Sequence, residues 1–169
     1  MPNSAIGEQV LIGFDPGLAS CGYGVIAVSG SRVFHRAHGV IETDSSSDDG
    51  VRLDTLYTRL CEIIASYQPE RAAVESLYFA KNISSAIPVA QARGVILLAC
   101  ARSGVPVLDI SPPRIKQRIT GVGRADKNQV QQMIKLLLGL KELPASDHAA
   151  DALAAAYSLW QEPIGEMNI

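Results

Sequence analysis

The run Val10-Leu11-Ile12-Gly13-Phe14-Asp15-Pro16-Gly17 constrains the chain more than any other stretch, because a short apolar segment stops at a carboxylate followed by two turn formers. Val10, Leu11, Ile12 and Phe14 are too continuously apolar for a half-exposed strand, so the segment needs cover on both faces. Pro16 and Gly17 end the pairing and turn the chain. The next run, Cys21 to Val28, is rich in β-branched residues and close enough to return antiparallel beside the first. Asp15 then stands at a strand end, where open sheets place their ligands. On this segment alone, an Asp that merely opens a turn fits equally well.

The same punctuation divides the rest of the sequence. Arg32 to Thr43 makes a third strand of a meander, and Asp44 to Gly50 is loop by composition. Between Val51 and Tyr67, Leu53, Leu56, Tyr57, Leu60, Ile63 and Ile64 recur at helical spacing, with Pro69 as the stop. Glu70 to Glu75 reads as a fourth strand that ends, like the first, in an acid. A loop leads to a helix over residues 84–103, dense in Ala and Gly, with Pro88 in its first turn or at a kink. Val105 to Ile110 is a fifth strand, and Ser111-Pro112 opens a short helix to about Ile119. After the turn Gly121-Val122-Gly123, Asp126 and Gln129 form a capping-box pattern that starts a helix reaching about Leu140. The last helix spans Asp147 to Trp160. Residues 1–8 read as a flexible leader, 9–161 as one domain and 162–169 as a flexible tail.

A 169-residue chain with 47% hydrophobic residues is one α/β domain of ordinary size. Its longest apolar stretches fall short of the roughly 18 residues of a membrane span, and no secretory signal pattern opens it. Cys21, Cys61 and Cys100 are odd in number and lie in apolar runs, which points to reduced core thiols in a cytoplasmic protein. A net charge of −2 argues against a nucleic-acid partner, but its distribution does not. Between Ser111 and Lys141 stand Arg114, Lys116, Arg118, Arg124, Lys127, Lys135 and Lys141 against the single acid Asp126. Such a patch suits a phosphate-facing surface or a solvated helix face. Lys127 opens its helix, where free N–H groups and the helix dipole favour a phosphate.

Four candidates matter: Asp15, Glu75, Asp151 and whichever of Asp147 and His148 faces inward, since either can share the helix face of Asp151. Asp151 sits among Ala149, Ala150, Ala152, Leu153 and Ala154, where an acid is costly unless it is paired or metal-bound. Asp147 has a plainer role as a first-turn acid favoured by the helix dipole. Carboxylates on two strand ends and one helix suit two hard divalent ions held about 4 Å apart over a phosphodiester. Tyr78 and Phe79, just after Glu75, would then offer a stacking face for bases.

In order along the chain, Ile12-Gly13-Phe14-Asp15-Pro16-Gly17 with Gly22-Tyr23-Gly24, Val74-Glu75-Ser76 with Ala80-Lys81-Asn82, Gln91-Ala92-Arg93-Gly94, Gly121-Val122-Gly123 with Lys127, and Ala149-Ala150-Asp151-Ala152-Leu153-Ala154 resemble the bacterial RuvC Holliday junction resolvases. The resemblance implies a ribonuclease H-like fold, a mixed five-stranded sheet flanked by helices. It also implies a homodimer that cuts paired strands of four-way DNA junctions with Mg²⁺ or Mn²⁺, two ions per site, leaving 5′-phosphate and 3′-hydroxyl ends. RuvA and RuvB are the implied partners. The family's catalytic carboxylates fall on Asp15, Glu75 and Asp151, its stacking aromatic on Tyr78 and its lysines on Lys116 and Lys127. His148 stands where most of the family has a further aspartate, and is taken with those three acids as the metal-binding set. Lys81, Asn82, Arg93 and Arg124 complete the expected DNA contacts. Two rivals remain at this stage: an actin-like ATPase or sugar kinase, which needs two such domains, and a module that binds junctions without cutting them.

Overall fold

In the computed structural model, residues 7–76 and 83–162 are described. Strands β1 (Gln9–Asp15), β2 (Ser20–Ser29) and β3 (Arg32–Glu42) form the antiparallel meander expected from the sequence. Helix α1 (Asp49–Tyr67) crosses to β4 (Arg71–Glu75), which pairs parallel with β1. Helix α2 (Ile83–Arg102) crosses to β5 (Val107–Ile110), parallel with β4. The sheet order is β3-β2-β1-β4-β5, and α3 (Pro112–Thr120), α4 (Lys127–Leu137) and α5 (Asp147–Trp160) complete the chain. This is the mixed sheet flanked by helices that the resemblance implies.

Alternate side chains of β1 and β4 feed two cores, which is why their sequences read as unbroken apolar runs. Ile12, Phe14, Ala72 and Val74 pack with Leu56 and Leu60 of α1 and Ile96 of α2. Leu11 and Ala73 pack on the other face with Leu153 of α5, Ile115 of α3 and Ile134 of α4. Each large side chain so buried contributes roughly 1.5–3 kcal/mol. Cys21 and Cys100 are buried and reduced, and Cys61 is half-buried, in keeping with core thiols.

What seats α5 is the absence of side chains beneath it. A Cβ on Gly13 would lie 2.1 Å from the Ala152 carbonyl oxygen, and one on Gly22 would lie 2.0 Å from that of His148. Because β1 and β2 carry glycine at these points, and α5 answers with Ala149, Ala152 and Ala156, helix and sheet meet backbone to backbone.

Pro88 lies inside α2 beyond its first turn, which excludes the first-turn alternative of the sequence reading. Two further details differ from that reading. Ser111 makes no side-chain cap bond, and Pro112 at the first helical position, with its preset φ, begins α3 unaided. Glu162, assigned to the flexible tail, is 4% exposed. Its carboxylate meets the guanidinium groups of Arg114 at 2.6 Å and Arg118 at 3.2 Å. The capping box at α4 forms as expected, with Asp126 and Gln129 bonded in both directions.

Candidate active site

The two strand-end acids are neighbours. Asp15 and Glu75 each stand one residue beyond the paired Phe14 and Val74 of parallel strands β1 and β4. The seating of α5 on glycine brings its first turns to the same sheet edge. There His148 Nδ1 lies 2.7 Å from Asp15 Oδ2, and Asp151 Oδ2 lies 3.3 Å from Lys127 Nζ at the start of α4. Glu75, Asp151, Lys116 and Lys127 share the wall of a cavity of about 220 Å³, whose remaining lining, Pro112, Ile115, Val130 and Ala154, is largely apolar.

The electrostatics follow from crowding carboxylates on an apolar floor. Burial, reinforced by the negative charges of Asp15 and Asp151 and opposed by Lys116 and Lys127, pushes Glu75 up to about 7. Burial also raises Asp15, against the hydrogen bond from His148, and raises Asp151, against Lys127. Desolvation alone would lower Lys127; its attraction to Asp151 and Asp147 outweighs that and raises it. A site that destabilises its own carboxylate charges in this way favours added positive charge. Among the described residues no three His, Cys, Asp or Glu side chains already converge as an ion cage. Instead Lys127 and His148 tie up carboxylate oxygens. The donor set of three carboxylates beside one imidazole, open to a cavity, fits hard divalent cations that take oxygen ligands.

Of the two candidates at the start of α5, His148 faces Asp15. Asp147 turns toward α4, where Gln131 Nε2 lies 2.7 Å and Lys127 Nζ 3.2 Å from its oxygens. The basic patch is split. Lys116 and Lys127 reach the acids, whereas Arg114 and Arg118 are directed to Glu162. Arg124 lies on a separate groove with Thr120, Asn128 and Gln132. Arg93 is bound to both carboxylate oxygens of Asp109 at 2.7 Å, linking α2 to β5. Tyr78, Lys81 and Asn82 lie outside the described residues. Gln131 was missed in the sequence. Its spacing of four from Lys127, which puts both on one face of α4, was the available signal.

The family model described as crossover junction endodeoxyribonuclease RuvC matches residues 11–158. The chain belongs to the RuvC family. A RuvC of Heliobacterium modesticaldum is 50% identical over 148 residues, spanning 88% of this chain and 91% of the relative. A RuvC of Treponema pallidum is 48% identical over 155 residues, spanning 92% and 79%. The solved structure of Thermus thermophilus RuvC in complex with Holliday junction substrate superposes with a TM-score of 0.84 at 36% identity, covering 89% of this chain and 92% of that one. With the RuvC fold comes the ribonuclease H-like class, and the two-domain ATPase reading falls away.

Proposed function

We propose that this RuvC-family protein is an endodeoxyribonuclease that resolves four-way DNA junctions, cutting paired strands as a homodimer and leaving 5′-phosphate and 3′-hydroxyl ends. The observation that carries the reading is that Asp15, Glu75 and Asp151 lie near enough at one sheet edge to act on one another's charge, with Lys116 and Lys127 on the cavity wall beside Glu75 and Asp151. Asp15, Glu75, His148 and Asp151 are the residues that would hold two divalent ions, Mg²⁺ or Mn²⁺. When bound, such ions activate a water and stabilise the leaving oxygen of a phosphodiester.

The chain's own residues supply the rest. Lys127 opens α4, so its ammonium and the helix's free N–H groups present positive charge together to a strand phosphate. Lys116 adds a second cation on the cavity wall. The His148 ring, held on Asp15, orients that carboxylate toward the cleft. Tyr78 would supply the stacking face for bases unpaired at the crossover, and Lys81 and Asn82 would add DNA contacts; Arg124 meets backbone phosphate farther out. Arg93, tied to Asp109, acts in this reading by fixing α2 to the sheet edge before any DNA contact. No helix among the described residues is long and apolar enough to cross a membrane. In this reading the protein works on DNA in the cytoplasm alongside RuvA and RuvB, as membership of the RuvC family supports.

The test is cleavage of a labelled four-way junction with Mg²⁺ or Mn²⁺, comparing the wild type with Asp15→Asn. Wild type cuts at paired positions; Asp15→Asn binds the junction and leaves it whole, because the basic surface is untouched. Cutting by Asp15→Asn at the wild-type rate would sink the assignment. Binding without cutting by the wild type would make the protein a junction-recognition module.

A further inference from the structure

Asp147 is the acid for which the metal-binding set has no use, and its surroundings are more ordered than a solvated first-turn residue requires. Its Oδ1 accepts from Gln131 Nε2 at 2.7 Å, and its Oδ2 lies 3.2 Å from Lys127 Nζ. The same ammonium lies 3.3 Å from Asp151 Oδ2. Asp147 and Asp151 are one turn apart on α5, and Lys127 and Gln131 are one turn apart on α4. Four side chains therefore close a small rectangle between the two helices. We propose that Asp147, steadied by Gln131, is a positioning residue: a second anchor for the Lys127 ammonium that lets Asp151 give up that ammonium in exchange for a divalent cation.

A cation and the Lys127 ammonium compete for Asp151. An ammonium has three donors and no acceptor, so Lys127 can hold two carboxylates at once, as it does here. A cation that binds Asp151 takes an oxygen that Lys127 already occupies. With Asp147 present, the ammonium keeps an ion pair as it leaves Asp151; without it, Asp151 is the one carboxylate within ion-pair distance of Lys127 among the described residues, and the incoming cation must break that pair outright. Asp147 itself is poorly placed as a ligand. Both its oxygens are engaged toward α4, its side chain is 64% exposed against 27% for Asp151, and its neighbour His148 turns to Asp15 instead.

The inference rests on reading Asp151 as a cation ligand, and its test is Mn²⁺ titration of the DNA-free protein by calorimetry at moderate salt, with melting curves to confirm that each variant is folded. Asp147→Ala weakens Mn²⁺ binding by about two- to fivefold, the range that one exposed ion pair supplies. Asp147→Asn does the same, and Gln131→Ala shifts affinity less in the same direction. Lys127→Gln tightens binding, and in that background Asp147→Ala has no effect. An equal loss in both backgrounds would make Asp147 a ligand and overturn the proposal, as would unchanged affinity in Asp147→Ala. If the wild type takes up no Mn²⁺ that Asp15→Asn abolishes, the metal-site reading falls and the inference falls with it.

Discussion

Glu75 shows how a single residue can work against the fold that presents it. Its carboxyl, raised from an ordinary 4.5 to about 7, holds a proton in the native state over a range where the unfolded chain has released it. For a raised group the stabilising contribution is complete below the unfolded value and is lost as pH rises through the folded one. At pH 8 in a chelator the ionised Glu75 is therefore a burden, and Glu75→Gln removes it. The variant should be more stable than wild type by about 1–3 kcal/mol there, with the difference closing below about pH 4.5. Melting curves in EDTA across that range check it; equal stability at pH 8 would mean that the lysines fully offset the burial. His148 makes a second prediction at this scale. An imidazole suits Mn²⁺ better than Mg²⁺, so His148→Asp should raise Mg²⁺-supported junction cleavage relative to Mn²⁺, measured as the ratio of initial rates.

At the scale of elements, the seating of α5 decides whether there is a site at all. Gly22 leaves room for the His148 carbonyl, and Gly22→Ala would set a Cβ 2.0 Å from that oxygen. Backbone must move, so the variant should lose roughly 1–3 kcal/mol of stability and, because the turn that moves carries His148, most of its cleavage. Denaturant unfolding and single-turnover cleavage separate the two losses. Much of this scaffold was legible in the sequence. The β1 run, the capping box at Asp126 and the alanine-rich α5 are local patterns, and each marks an element by its own periodicity or end chemistry. Asp15, Glu75 and Asp151 stood out because an acid ends each strand or interrupts an apolar helix face. The partners of side chains far apart in sequence were not legible. That Arg114 and Arg118 answer Glu162, that Arg93 answers Asp109, and that Gln131 holds Asp147 depend on how helices stack, which no local pattern encodes. The basic patch read as one surface for that reason, although the fold divides it.

For the molecule as a whole, the question is how one set of acids cuts two strands. Among the described residues each chain carries a single acidic cluster, at the β1–β4 edge, so the proposed paired cuts across a four-way junction call for two copies related by a two-fold axis, the symmetry of the commonest oligomers. Helix α2 offers a face for that contact. Ile87 and Leu98 are 54% and 52% exposed, far more than large apolar side chains on a helix packed in a core. Gly94 lies between them on the same stripe, and a Cβ there would meet nothing within 4 Å. Two such helices can approach closely at the glycine and bury the flanking Ile and Leu against each other. A charge at the centre of that contact would be desolvated without a partner. If the proposed homodimer forms over this face, Leu98→Glu should shift it to monomer at micromolar concentration, as read by sedimentation or light scattering. Its own fold should be intact, because Leu98 faces out of the core. On a supercoiled plasmid bearing a cruciform, the dimer linearises the circle by two cuts made in one encounter, whereas the monomer should leave a nicked circle as the main product. If Leu98→Glu stays dimeric and still linearises the plasmid, α2 is not the seam, and the second copy must approach over another face.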